Sequence, residues 1–121
     1  MGGMSPTNRT VSANVVEACV RQWVRVAGAV ESVPDQAFDI VTRLPGWRVR
    51  ELVTHLIACV DAIGTRLAEP VPDKPTVDLP RYLLALPDAA AAISLRERGD
   101  AAGSEPAMLR LRLREGVAQL A

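Results

Sequence analysis

Apolar residues recur at helical spacing along the first third of the chain. Val16, Cys19, Val20, Trp23, Ala27 and Val30 fall on one stripe, while Asn14, Glu17, Arg21, Arg25 and Ser32 form the opposite face. The pattern predicts an amphipathic helix starting at Asn8 or Ser12 and ending at Ser32. Glu17 and Arg21 add an i,i+4 pair in the favourable order. Val33-Pro34-Asp35 ends the helix, because proline cannot continue the ladder and restricts the residue before it. Phe38 and Ile40 are expected to plug the end of the core, and Leu44-Pro45-Gly46 reads as a tight turn.

The clearest periodicity follows. Val49, Leu52, Val53, Leu56, Val60, Ile63 and Leu67 lie on one face at successive 100° steps, predicting a second helix over residues 48–68. His55 stands at the flank of that face, near Cys59 and Arg66. Four prolines between Glu69 and Pro80 mark a crossover. Asp78 or Leu79 starts a short helix with Pro80 in its first turn. Pro87 is expected to break or kink it, Asp88 to cap a restart running to Arg98, and residues 99–103 to form a loop. Ser104 and Pro106 then read as a cap and a first-turn proline. Leu109, Leu113, Val117 and Leu120 suit a last helix near 106–120. The alternation from Leu109 to Arg114 also fits a strand, but no partner strand exists elsewhere. The fold class is therefore all-α.

Composition narrows the picture. The chain has 121 residues, the size of one domain over 1–121. Apolar residues make up 49% and aromatic residues only 3%, so the core is built from Leu, Val, Ile and Ala. Fourteen basic residues balance fourteen acidic ones, which gives no global attraction to nucleic acid or to anionic membrane. This neutrality, with no companion helix-turn, also argues against residues 48–67 as a DNA-recognition helix. The basic set is almost all arginine, Lys74 being the one lysine, which suggests a GC-rich, actinobacterial coding sequence. Residues 1–10 lack the apolar core of a signal peptide, and the uncharged run near 52–60 is too short to span a bilayer. Cys19 and Cys59 sit among apolar residues and read as two small buried hydrophobes in a reducing, cytoplasmic setting. Arg110, Arg112 and Arg114 read as a solvated face.

The specific signal is the run Thr42-Arg-Leu-Pro-Gly-Trp-Arg-Val-Arg-Glu-Leu-Val-Thr-His-Leu56. It resembles the T-x-x-P-G-W-x-V-x-x-L-x-x-H-L block of the mycothiol-dependent maleylpyruvate isomerase N-terminal family, within the DinB-like superfamily. The resemblance implies an up-down-down-up four-helix bundle. It implies that His55 is one ligand of a divalent metal, most simply zinc, with two further ligands from a Glu-x-x-x-His arrangement on the last helix. Three protein ligands leave a position open, which in the family takes the mycothiol thiol. The thiol then attacks an electrophilic small-molecule substrate. Trp47 packs across the end of the bundle and fixes where the helix begins.

The chain departs from the family pattern in two places. Arg48 stands where the family often has a Thr or Ser cap worth about 1 kcal/mol. His55 is the only histidine, and Glu105 and Glu115, ten residues apart, cannot replace a Glu-x-x-x-His pair. By layout the last segment corresponds to the family's third helix, so the domain is expected to be truncated before the fourth, inactive as this chain alone, and self-associating through the uncovered stripes. The alternative is a non-catalytic helical interaction or regulatory module that has lost the metal site.

Overall fold

The computed structural model describes residues 13–70, 72–74 and 77–120. Their elements are α1 (Ala13–Glu31), a 3₁₀ turn (Asp35–Asp39), α2 (Val49–Ala68), α3 (Leu79–Ala102) and α4 (Pro106–Ala118). The all-α expectation holds: among the described residues there is no strand, only an isolated antiparallel bridge between Val41 and Arg48. The expected start of the first helix, at Asn8 or Ser12, lies outside or at the edge of the described residues.

The core forms where α2 and α4 cross. Val53, Ile57 and Val60 of α2 meet Leu109, Leu113 and Val117 of α4, with Phe38 of the 3₁₀ turn and Val30 of α1 closing one end. The stripe expected on the last helix is the one buried, and Leu120 packs against it. That pattern settles helix over strand for residues 109–114, since a strand would put Leu111 on the same side as Leu109 and Leu113, whereas Leu111 is exposed. Helix α4 packs on both α1 and α2, and α3 packs on α2. The stripe on α1 is buried only towards its C-terminal end: Val16 and Cys19 are exposed, Trp23 and Ala27 are partly covered, and Val30 is buried. Ile63 and Leu67, the last two positions of the α2 stripe, are also exposed.

Several expectations are corrected. Pro87 does not break the third segment: α3 runs unbroken for 24 residues with Pro87 inside it, so four helices are present among the described residues. The lost N–H and the freed carbonyl one turn earlier both lie on a stretch where every residue from 79 to 93 is exposed, so water can satisfy the carbonyl. Residues 99–102 continue the helix instead of looping, because Glu97 and Ala101, one turn apart, are buried and keep the last turns docked. Asp78 does cap α3, accepting a bond from the Arg81 N–H at 2.9 Å. Ser104 does not cap α4: its hydroxyl donates back to the Asp100 carbonyl, and Glu105 takes the cap position without a side-chain bond. Ile40 is exposed and plugs nothing, whereas Phe38 is fully buried. Arg110 is no solvated residue: its guanidinium pairs with Asp35 at 2.6 Å, donates to the Val33 carbonyl and lies 5.0 Å over the Phe38 ring.

The α2–α4 crossing is close enough to need a glycine. A Cβ at Gly116 would stand 2.7 Å from Val60 Cγ1 and 2.9 Å from Asp61 Oδ1. Gly116→Ala should therefore destabilise the fold, although alanine is the better helix former by about 1 kcal/mol, because overpacking a core costs about 1–3 kcal/mol. Urea unfolding checks this; a rise in the midpoint would show that the helices separate freely there.

Candidate functional site

The Thr-x-x-Pro-Gly-Trp run has a mechanical explanation. Trp47 N–H donates to the Leu44 carbonyl at 3.0 Å, closing a four-residue turn. Pro45 supplies the fixed φ of the second position, and Gly46, at φ +77°, supplies the left-handed third position of a type II turn. Thr42 locks the turn from outside. Its hydroxyl donates to the Trp47 carbonyl at 2.6 Å and accepts from the Leu44 N–H at 3.2 Å. The turn delivers Trp47 directly to the start of α2.

Helix α2 starts without a Ser or Thr cap, since a guanidinium has only donors. Glu51 provides the other half of a capping box, accepting from the Arg48 N–H at 3.0 Å while the Arg48 side chain closes on the same carboxylate. Burial pushes the Glu51 carboxyl up, but the Arg48 hydrogen bond and charge, with backbone N–H bonds, outweigh it and hold the group below the ordinary carboxylate value. The start of α2, and so the angular position of His55, is set by this pair.

His55 is half-exposed, at the flank of the apolar face as its position on the helical wheel implies. Its Nδ1 lies 2.9 Å from Oε2 of Glu97, which reaches over from α3 and is only 2% exposed. Its Nε2 lies 3.4 Å from Sγ of Cys59, one turn on along α2. Arg66, expected nearby, pairs instead with Glu69. The Trp47 ring stands edge-on to the imidazole, with centroids 5.4 Å apart, and Trp47 Nε1–H donates to the Ser94 hydroxyl at 3.3 Å. Trp47 is thus half-buried between α2 and α3, at the start of α2 and outside the central core.

Trp47, His55 and the α3 side chains Leu86, Ala89, Ala90, Ile93, Ser94 and Glu97 line a cavity of about 380 Å³. No lysine or arginine is among them. Neither cysteine is a fully buried hydrophobe, which corrects the sequence reading: Cys19 is exposed and Cys59 partly so, and both are free thiols. Burial first, and the nearby Glu97 charge second, push the Cys59 thiol above its ordinary value.

As a test of the implied metal, the donors split into two kinds. His55 Nε2 and Cys59 Sγ form an adjacent nitrogen–sulfur pair, and Glu97 backs the other imidazole nitrogen as an orienting carboxylate. Among the described residues no group of three His, Cys, Asp or Glu side chains could hold a metal ion. Two donors and their support therefore fit, and the remainder of a closed site is not formed by the described residues.

The model of the mycothiol maleylpyruvate isomerase N-terminal domain matches residues 19–121. The chain belongs to that family. Neither the curated proteins nor the solved structures provide a match. The matched span contains the whole block from Thr42 to Leu56, His55 included.

Sequence reasoning missed Glu97 and Ser94. Glu97 sits within Arg-Glu-Arg-Gly, which reads as a solvated run. One signal was available: Ile93, Glu97 and Ala101 repeat at i,i+4, placing an acid in the centre of the small stripe by which α3 docks.

The raised Cys59 thiol has a measurable consequence, because the thiolate is the nucleophile. In a Cys19→Ser background, alkylation of Cys59 by iodoacetamide should reach half its limiting rate at a pH above that of a free cysteine. Glu97→Gln should bring that midpoint part of the way down. A midpoint at or below the free-cysteine value would contradict the burial described above.

Proposed function

We propose that this chain is part of a metal-binding, mycothiol-dependent isomerase- or transferase-like domain, inactive as this chain alone. The observation that carries the reading is the state of His55: a buried carboxylate holds Nδ1, leaving Nε2 as the donor nitrogen, in the residue that the family block marks as a ligand. When bound, a divalent metal such as zinc holds a thiol as thiolate at neutral pH. The chain's own residues do the rest. Glu97 fixes the tautomer and direction of His55. Trp47, Leu86, Ala89 and Ile93 wall the cavity beside it and offer an apolar surface to a substrate. With no cation among its lining residues and a buried acid at its edge, the cavity favours a neutral, largely apolar electrophile over an anionic one.

The two free thiols support a cytoplasmic location, since they suit a reducing compartment. No helix among the described residues is long and apolar enough to cross a membrane. The second reading, a helical interaction module without a working metal site, draws its support from the missing third donor among the described residues.

Zinc titration by calorimetry separates the two. The domain reading expects weak binding, well short of the ~10–16 kcal/mol of a closed structural zinc site, and its loss in His55→Ala. No binding, or binding indifferent to His55, favours the interaction module. Self-association is part of the same proposal, since Val16 and Val24 of α1 and Leu79, Leu83 and Leu84 of α3 stand exposed. Size exclusion with light scattering should give a dimer or larger at tens of micromolar; a clean monomer would remove this part of the proposal.

A further inference from the structure

Helices α2, α3 and α4 enclose a second cleft, of about 180 Å³, which shares only Glu97 with the cavity beside Trp47. Its character is different. Four exposed charged side chains stand round it: Asp61 from α2, Arg96 and Asp100 from α3, and Arg112 from α4. Among the described residues none of these four side chains makes an ion pair or a hydrogen bond, although Arg96 and Asp100 are i and i+4 on one helix. The arginines on either side of Arg112 along α4 do pair, Arg110 with Asp35 and Arg114 with Glu31. The polar groups deeper in the cleft are already satisfied. The Thr54 hydroxyl donates to the Arg50 carbonyl at 3.0 Å, and the buried Glu97 carboxylate holds His55 Nδ1. Asp61 is set in place by the α2–α4 crossing: its Oδ1 would lie 2.9 Å from a Cβ at Gly116, one turn along α4 from Arg112.

The cleft therefore offers two carboxylates and two guanidiniums that have no partner within the described residues. A ligand of one sign would be attracted by two of them and repelled by the other two. A ligand that carries both signs a few ångströms apart meets its complement in each. Drug-sized ligands occupy about 300–1,000 Å³, so this cleft is limited to something smaller. We propose that it binds a small zwitterion of the α-amino acid class. Arg96 and Arg112 take the carboxylate, for which the planar guanidinium fork is suited. Asp61 and Asp100 take the ammonium, and the apolar remainder of the ligand rests on Ile57 and Ala58. The proposal does not depend on the reading of His55. Because the four charges lie at an exposed rim, the affinity is modest, with a Kd on the order of 1 mM.

Titrating the isotope-labelled chain with L-alanine, followed by backbone amide NMR, tests this. Saturable shifts are expected for amides around Asp61, Asp100 and Arg112, with a midpoint on the order of 1 mM. N-acetyl-L-alanine lacks the ammonium and L-alaninamide lacks the carboxylate, so each should bind about threefold or more weakly. Arg112→Gln and Asp61→Asn should each weaken L-alanine binding by a similar factor, and Arg21→Gln, on the exposed face of α1, should leave it unchanged. The amide spectrum of each variant reports whether it is folded. Arg96→Gln and Asp100→Asn, on exposed positions of α3, provide the same test if a change at the α2–α4 crossing disturbs the fold. Absence of saturable shifts at roughly tens of millimolar would overturn the proposal. So would equal binding of either single-charge analogue, or binding indifferent to all four charged residues.

Discussion

One helix serves two neighbours, and the 100° step between its residues decides what each receives. Val53 and Val60 of α2 face α4 in the core, while His55, two residues after Val53 and so about 200° round the axis, faces α3. The packing that stabilises the fold and the geometry that presents the histidine are thus set by a single rotation of α2. That rotation is fixed twice, by the turn that Thr42, Pro45 and Gly46 build ahead of Trp47 and by the Arg48–Glu51 pair at the first turn of the helix. The family block is best understood as this indexing device with a histidine at its end.

Burial follows the same logic. The aromatic-poor composition leaves a small core, and α4 supplies its centre through Leu109, Leu113 and Val117. Arg110, next in sequence to Leu109, then ties α4 to the segment after α1 through Asp35, the Val33 carbonyl and the Phe38 ring. A guanidinium can make all three contacts at once because its planar face and its edge donors are separate surfaces.

Local pattern was enough where one face of a helix meets a core. The extent of α2 and the stripe on α4 were legible because apolar residues at i, i+3 and i+4 have a single packing solution. Pattern misled where burial is slight. Along α3, Pro87 and Gly99 read as breaks, yet a mostly exposed helix with Glu97 and Ala101 as its buried contacts tolerates both. At the site, His55 was legible from its block, and its closeness to Cys59 from the helical repeat. Glu97 was not, because a contact across 42 residues depends on how two helices pack, and a single acid in a charged run does not encode that. Arg110 was missed for a related reason: alternating arginines look alike until a neighbouring ring and carboxylate single one out.

Helix α3 is fastened at one end. Its docking residues, Glu97 and Ala101, lie in its last two turns, while the stretch from 79 to 93, which carries half of the cavity's lining residues, is exposed throughout. Such a helix behaves as a cantilever: its free arm has little buried area opposing displacement, and Pro87 weakens the hydrogen-bond ladder along that arm. Local opening of such an arm costs less than global unfolding, because little of the core depends on it. Part of the cavity wall beside His55 is therefore built from the arm of α3 that buries least area, and the docked end of that helix carries the carboxylate that orients the histidine.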